Sequence, residues 1–360
     1  MGSRTLIRVI LLCLNDPDMK LNKLHIPILL LLVTGSSCFC QDINFSQFYE
    51  LPLLRNPALA GIFAGDVRVT SAFRSQWQSV TVPFRTMALG AELKKAMGEN
   101  SDDFITMGLQ ITDDVAGDSR LSRIQTFPVF NYHKSLRGDK DSYLSAGISG
   151  GPVMQRFDPS KLSFDDQFVD GSYSASNPTR QVFSNTSLTY WDAGAGISFS
   201  SLAAQNARYY IGVAIFHFTQ PKVAFQKQYD IILNRKYIVN AGITLPVNEE
   251  NHVILYGDYF AQGGSRMAQG GILLNHDLVK YDEEQKISIT GGVFYRKDDA
   301  LIPVVKLDYY HLGIGVSYDV NTSKLKSASQ FRGAYELTVS YKAYRDIHNT
   351  SANKVRCPTF

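Results

Sequence analysis

The chain has 360 residues, with 36 Lys and Arg against 33 Asp and Glu and a formal net charge of +3. So even a balance gives no support for a nucleic-acid partner, and a mean hydropathy of -0.11 speaks against a bundle of membrane helices. Tyr and Phe dominate the aromatic 12% and there are 27 glycines, a mix that favours a β-rich protein with many turns.

The N-terminus reads as a secretory signal. Lys20 and Lys23 form its basic region, residues 26–33 its apolar core, and Cys38 and Cys40 stand at positions −3 and −1 before Gln41. That core is too short to cross a bilayer as a helix. Met19 is an alternative start, because residues 1–18 add only a second apolar patch at 6–14. Cys38 as a lipoprotein cysteine is the alternative reading, disfavoured by Gly35 where a lipobox wants Leu. After cleavage Cys357 is the one remaining cysteine, so no internal disulfide is expected.

Residues 45–61, FSQFYELPLLRNPALAG, have the wrong composition for a strand. Asn56-Pro57 is a turn initiator, since proline fixes φ and restricts the residue before it. Gly61 permits the bend that launches the first strand.

From Asp66 onward, segments of about ten residues alternate between apolar and small polar positions, the pattern of a transmembrane β-barrel. Leu312, Ile314, Val316 and Tyr318 interleave with His311, Gly313, Gly315 and Ser317. Period two with β-branched and aromatic residues predicts strands. Fourteen are expected, near 66–77, 82–93, 104–113, 124–133, 143–155, 188–200, 209–217, 236–246, 253–260, 266–275, 286–295, 302–309, 311–319 and 334–341. Lys94 to Met97 reads as a single helical turn at most.

The polar positions of these segments are mostly Gly, Ser, Thr and Gln, whereas charges gather in connections such as 134–141, 282–286 and 296–299. A soluble sheet would carry Lys and Glu on its wet face. The alternation therefore predicts an apolar face toward lipid and a small-residue face toward a lumen, with a soluble β-protein as the alternative. A charge at Ile314 is expected to be costly, and one at Ser317 milder. Trp77, Tyr132, Tyr209, Tyr210, Tyr295, Tyr309, Tyr310 and Tyr341 close segments where an interfacial girdle would sit. The three longest connections, 156–187, 218–235 and 320–333, each come after an odd-numbered strand. With a periplasmic N-terminus they all lie outside the cell.

The longest connection carries Asp165-Asp166, read as a solvated turn rather than a cation site, because ordered calcium-ligand spacing is missing. Leu162, Phe164 and Phe168 imply that this loop folds on itself or docks on something. No nucleophile triad, P-loop, dinucleotide fingerprint or zinc spacing occurs. His217, His276 and His311 are expected to be structural, and Gly263-Gly264, Gly291-Gly292 and Gly147 to Gly151 to be bends or bulges. No catalytic, cofactor-binding or metal-binding residue is expected.

The opening stretch at 45–61 resembles the signature of the PorP/SprF family, outer-membrane barrels of the type IX secretion and gliding system. Arg74-Ser75-Gln76-Trp77 with Pro83 and Thr86 is similar to a family pattern. So are Gly108-Leu109-Gln110-Ile111 with Asp113, Asp114 and Gly117, the loop Asp158…Leu162-Ser163-Phe164…Asp166-Gln167, and Arg332 to Leu337 with the later Cys357-Pro358 and Phe360. Thr359, where a basic residue is common, and the bulky Glu50-Leu51 depart from it.

The resemblance implies a non-enzymatic barrel that joins the translocon to its periplasmic ring, or supports export and surface retention of a partner adhesin. The alternative is an outer-membrane porin or hydrophobic-substrate channel. The expected partners are secretion components, an adhesin and outer-membrane lipid, with no nucleic acid and no cofactor. The expected organisation is a signal peptide at 1–40, a periplasmic arm or plug at 41–65, an outer-membrane all-β up-and-down barrel at 66–342 and a tail at 343–360. The family-motif residues, as possible partner contacts, are Phe45, Ser46, Gln47, Asn56, Pro57, Gly61, Gln76, Trp77, Asp166 and Gln167.

Overall fold

A computed structural model describes residues 42–78, 82–98, 102–137, 142–203, 207–226, 228–280, 286–324 and 329–344. The signal-peptide reading and most of the tail lie outside the described residues. The alternating segments form sixteen strands. They are β1 (Val67–Gln76), β2 (Phe84–Ala96), β3 (Phe104–Ala116), β4 (Leu121–Arg137), β5 (Ser142–Arg156), β6 (Phe168–Val169), β7 (Ser172–Tyr173) and β8 (Ser187–Leu202). The rest are β9 (Arg208–Phe216), β10 (Lys236–Pro246), β11 (Asn251–Gln262), β12 (Ser265–Lys280), β13 (Lys286–Arg296), β14 (Ala300–Tyr309), β15 (Leu312–Asn321) and β16 (Arg332–Ala343). All but the β6–β7 hairpin form one closed antiparallel barrel, in which β1 pairs with both β2 and β16. Each of the fourteen expected strands is present. Most run longer than expected, because backbone pairing continues after the alternation of side chains fades into polar residues. Residues 94–96, expected as a turn of helix, are the end of β2.

Facing obeys the period of two. On β15, Ile314 is 41% exposed on the outer surface and Ser317 is 2% exposed inside. Leu337, Leu109 and Ile197 also point outward, while Glu336, Gln110 and Ser198 point inward. Outward tyrosines gather toward the strand ends: Tyr237, Tyr259, Tyr295, Tyr318 and Tyr335 near one rim, Tyr309 and Tyr341 near the other. Tyr210, expected in that girdle, faces inward and is buried. Its neighbour Tyr209 holds the outward position, since successive residues alternate.

The antiparallel order places the connections 157–186, 217–235 and 322–331 at one end, here termed the long-loop end. The opposite, short-turn end carries 203–207, 247–250 and 310–311. Gly263-Gly264 is a two-residue turn with φ of 55° and 91°. The other glycine runs are not bulges: Gly291, Gly292 and Gly147 pair in regular register, and the register shifts fall near Ser135, Asp277 and Tyr318.

Residues 42–66 lie inside the barrel. Three short turns of helix organise them: a 3-10 turn at Phe48–Glu50, α1 (Pro52–Arg55) and a 3-10 turn at Pro57–Leu59. Proline opens α1 and the last turn, at positions where its missing N–H is not needed. Asn56 caps the last turn by accepting the Ala58 N–H at 2.8 Å.

Candidate functional site

The chemistry of this molecule is concentrated where the arm meets the lumen wall. The arm descends from one end to the other. At the long-loop end the Asp42 carboxylate pairs with Arg123 at the start of β4 and accepts from Lys236 Nζ, at the start of β10, at 3.2 Å. His217, just past β9, has φ of 56° and sets its Nε2 3.5 Å from Asp42. Its Nδ1 lies 2.5 Å from Asp192 Oδ2. Burial works against a charged His217, yet hydrogen bonds to Asp192 and Asp42 prevail and raise its pKa. Burial also works against a charged Asp42, but Lys236, Arg123 and His217 hold its carboxyl well below the usual range.

Next comes the seam between the first and last strands. Glu336 on β16, fully buried, accepts the backbone N–H groups of Ser46 at 2.8 Å and Gln47 at 2.7 Å. The Ser46 hydroxyl donates to Asp319 on β15 at 2.6 Å and accepts from Arg74 on β1 at 2.5 Å and Arg296 on β13 at 2.9 Å. Arg74 also pairs with Asp319 at 2.8 Å and Glu336 at 3.3 Å. One small hydroxyl thus sits among two cations and two carboxylates. Gln47 completes the contact: its amide donates to Ser317 at 3.3 Å and accepts from Thr338 at 2.8 Å.

Mid-lumen, Tyr49 stacks on Tyr256 with centroids 5.2 Å apart, and Phe48 meets Phe294 edge-on. Glu50 pairs with Lys306 at 2.7 Å. Arg55 makes a two-point ion pair with Asp258.

Lower down, the Asn56 amide donates to the carbonyls of Ile197 and Val213. Asn131 donates to the carbonyls of Ala58 and Ala60, each at 2.9 Å. Gly147 leaves room for this segment: a Cβ there would stand 2.5 Å from the Pro57 backbone. Gly61 takes φ of 87°, a left-handed turn that glycine adopts without strain, and its N–H donates to Glu92, itself paired with Arg68. The chain leaves at the short-turn end, where Asp66 N–H donates to Ala343 O at 2.8 Å. Beside the arm, a cavity of about 210 Å³, lined by Tyr49, Glu50, Lys306, Asp308 and Lys342 among others, marks what is left of the lumen there.

The expected motif residues divide accordingly. Phe45, Ser46, Gln47, Asn56, Pro57 and Gly61 converge in the lumen, buried against strands of this same chain. The contacts they make here are with residues of the same chain. Gln76 ends β1, and Trp77, with φ of 68°, donates its N–H to Gly333 at the long-loop rim. Asp166 and Gln167 order the 157–186 loop: Asp166 accepts from Thr179 and Arg180, and Gln167 bonds Asn177. Phe157, Phe164 and Phe183 pack together, so the loop folds on itself.

The residues missed were the charged wall positions Asp258, Arg296, Lys306 and Asp319, while Arg74 and Glu336 lay in motif stretches without a role assigned to them. Their signal was present as isolated charges in the inward register of strands, outnumbered by Gly, Ser and Thr.

A family model described as "Type IX secretion system membrane protein PorP/SprF" matches residues 37–341. No curated protein matches the chain. Among solved structures, the chain is similar to a CymD monoaromatic hydrocarbon channel at 13% identity and a TM-score of 0.46, over 83% of this chain and 94% of that one. A FadL homologue of Pseudomonas aeruginosa matches at 8% and 0.45, over 80% and 92%. A BamA from Haemophilus ducreyi matches at 8% and 0.39, over 77% and 70%.

Proposed function

Because the chain belongs to the PorP/SprF family of type IX secretion membrane proteins, we propose that it is a non-enzymatic scaffold of that system, closed by its own arm. It is an outer-membrane barrel, and the long loops face the cell exterior, as is general for such barrels. There the folded 157–186 loop receives an exported adhesin and retains it at the surface. The short-turn end and the tail face the periplasmic ring.

One observation carries this reading: the lumen is filled by an arm bound through buried ion pairs and hydrogen bonds from end to end. A solute porin needs a water-filled path, and a hydrophobic-substrate channel an apolar one. Here aromatic stacking and charge pairing occupy that space. Affinity purification from outer membranes in mild detergent tests the reading. Ring or translocon components together with a surface adhesin are expected to co-purify. Recovery of the barrel alone, with surface proteins still attached after deletion of the gene, would contradict it.

A further inference from the structure

The direction of the arm carries information that barrel topology alone does not. We infer that the arm is threaded from the cell surface inward, so that Asp42 stands at the outer mouth and Asp66 at the periplasmic one. The inference rests on the proposed outward placement of the long loops.

Among the described residues, the ion-pair and hydrogen-bond partners of Asp42 and Asn44 are near the long-loop end. Arg123 lies at the start of β4, Lys236 at the start of β10 and His217 just past the end of β9. Asn44 donates to Gln269, near the start of β12, at 3.3 Å. At the other end, Lys94 donates to the Phe63 carbonyl at 2.7 Å, and Asp66 bonds Ala343. Between these the path folds back once: Glu336 takes Gln47 near the long-loop end, Glu50 reaches Lys306 toward the short-turn end, Arg55 returns to Asp258, in register with Gln269, and Gly61 comes down to Glu92. The first and last residues of the arm therefore stand at opposite mouths of the barrel. It runs from one mouth to the other with that one fold back, and then turns into β1.

This threading has two consequences. The contacts of Ser46 and Gln47 reach β1, β13, β15 and β16, so the arm ties together both sides of the seam. And the Asp42 clamp is the part of the plug that a molecule outside the cell meets first.

Epitope insertion tests this. One tag is placed between Gln41 and Asp42, a second after Ser176 in the long loop, and a third after Phe360. On intact cells, antibody is expected to bind the first two, and the third only after permeabilisation. A loop tag read outside with an arm tag read only after permeabilisation overturns the inference. A loop tag hidden on intact cells overturns the orientation on which it stands.

A second measurement avoids insertions. With the native cysteines replaced by alanine, Asn44→Cys and Gln269→Cys are expected to crosslink in isolated outer membranes. Absence of that crosslink in a barrel that still migrates as folded on unheated electrophoresis overturns the threading.

Discussion

Glu336 shows how much one residue holds here. Its carboxylate takes two backbone N–H groups of the arm and one cation of β1. Removing one member of a buried charged set leaves the others uncompensated, which costs about 3–5 kcal/mol. Glu336→Ala is expected to lower the temperature at which the folded barrel is lost in detergent, whereas an outward change such as Val316→Leu leaves it unchanged. The facing of β15 makes a sharper case. Ile314→Lys puts a charge on the apolar outer surface and is expected to cost about 2–4 kcal/mol. Ser317→Lys, mild on the sequence reading, is not mild in a filled lumen: Ser317 is buried beside Gln47, and a long cation there displaces the arm. Both variants are expected to fall in stability, and tolerance of Ser317→Lys would mean that the arm is not packed there. His217 gives the pH dependence. Its pKa is raised in the folded protein, so its stabilising contribution is complete below about pH 6.5, the ordinary value. That contribution is lost as pH rises through the folded value. Asp42 stays ionised across this window, since its own stabilisation is lost only at far lower pH. Unfolding temperature is expected to decline from pH 6 to pH 9, and less steeply in His217→Gln.

At the scale of elements, the strands were legible because burial on one face and exposure on the other leave a period-two imprint that no other element makes. Leu312 to Tyr318 and Tyr335 to Tyr341 could be read directly. The arm was legible as a non-strand with a proline turn, but its path was not. Ser46 meets Glu336 290 positions away, and nothing local to either residue encodes that meeting. The same holds for the lumen charges. Arg55 and Asp258 look like an unremarked pair of residues until the barrel brings them together. Without this partner in view, the glycine run at 147–151 reads as a bend or bulge. Gly147 is instead a place where the arm backbone passes close to the wall. Gly147→Val is accordingly expected to force the Pro57 segment away, at about 1–3 kcal/mol, and to raise the access of proteases to residues 55–60 in a barrel that still forms. Unchanged protection would place the arm elsewhere.

At the scale of the whole molecule, the described residues combine an apolar exterior, a charged and hydrogen-bonded interior and an arm crossing the lumen. The asymmetry of its ends comes from the strand order: the three long connections each follow an odd-numbered strand, which puts them on one side, and the even number of barrel strands returns the end of β16 to the other. What the family supplies is the secretion system; what the residues supply is the ground for the proposal that the arm closes this barrel. Single-channel recording of the purified full-length protein in planar bilayers tests that most directly. Little steady conductance is expected from the wild type, with an ohmic current appearing in a variant lacking residues 42–60. A wild-type barrel that conducts ions as steadily as the deletion variant would contradict a lumen occupied by its own chain.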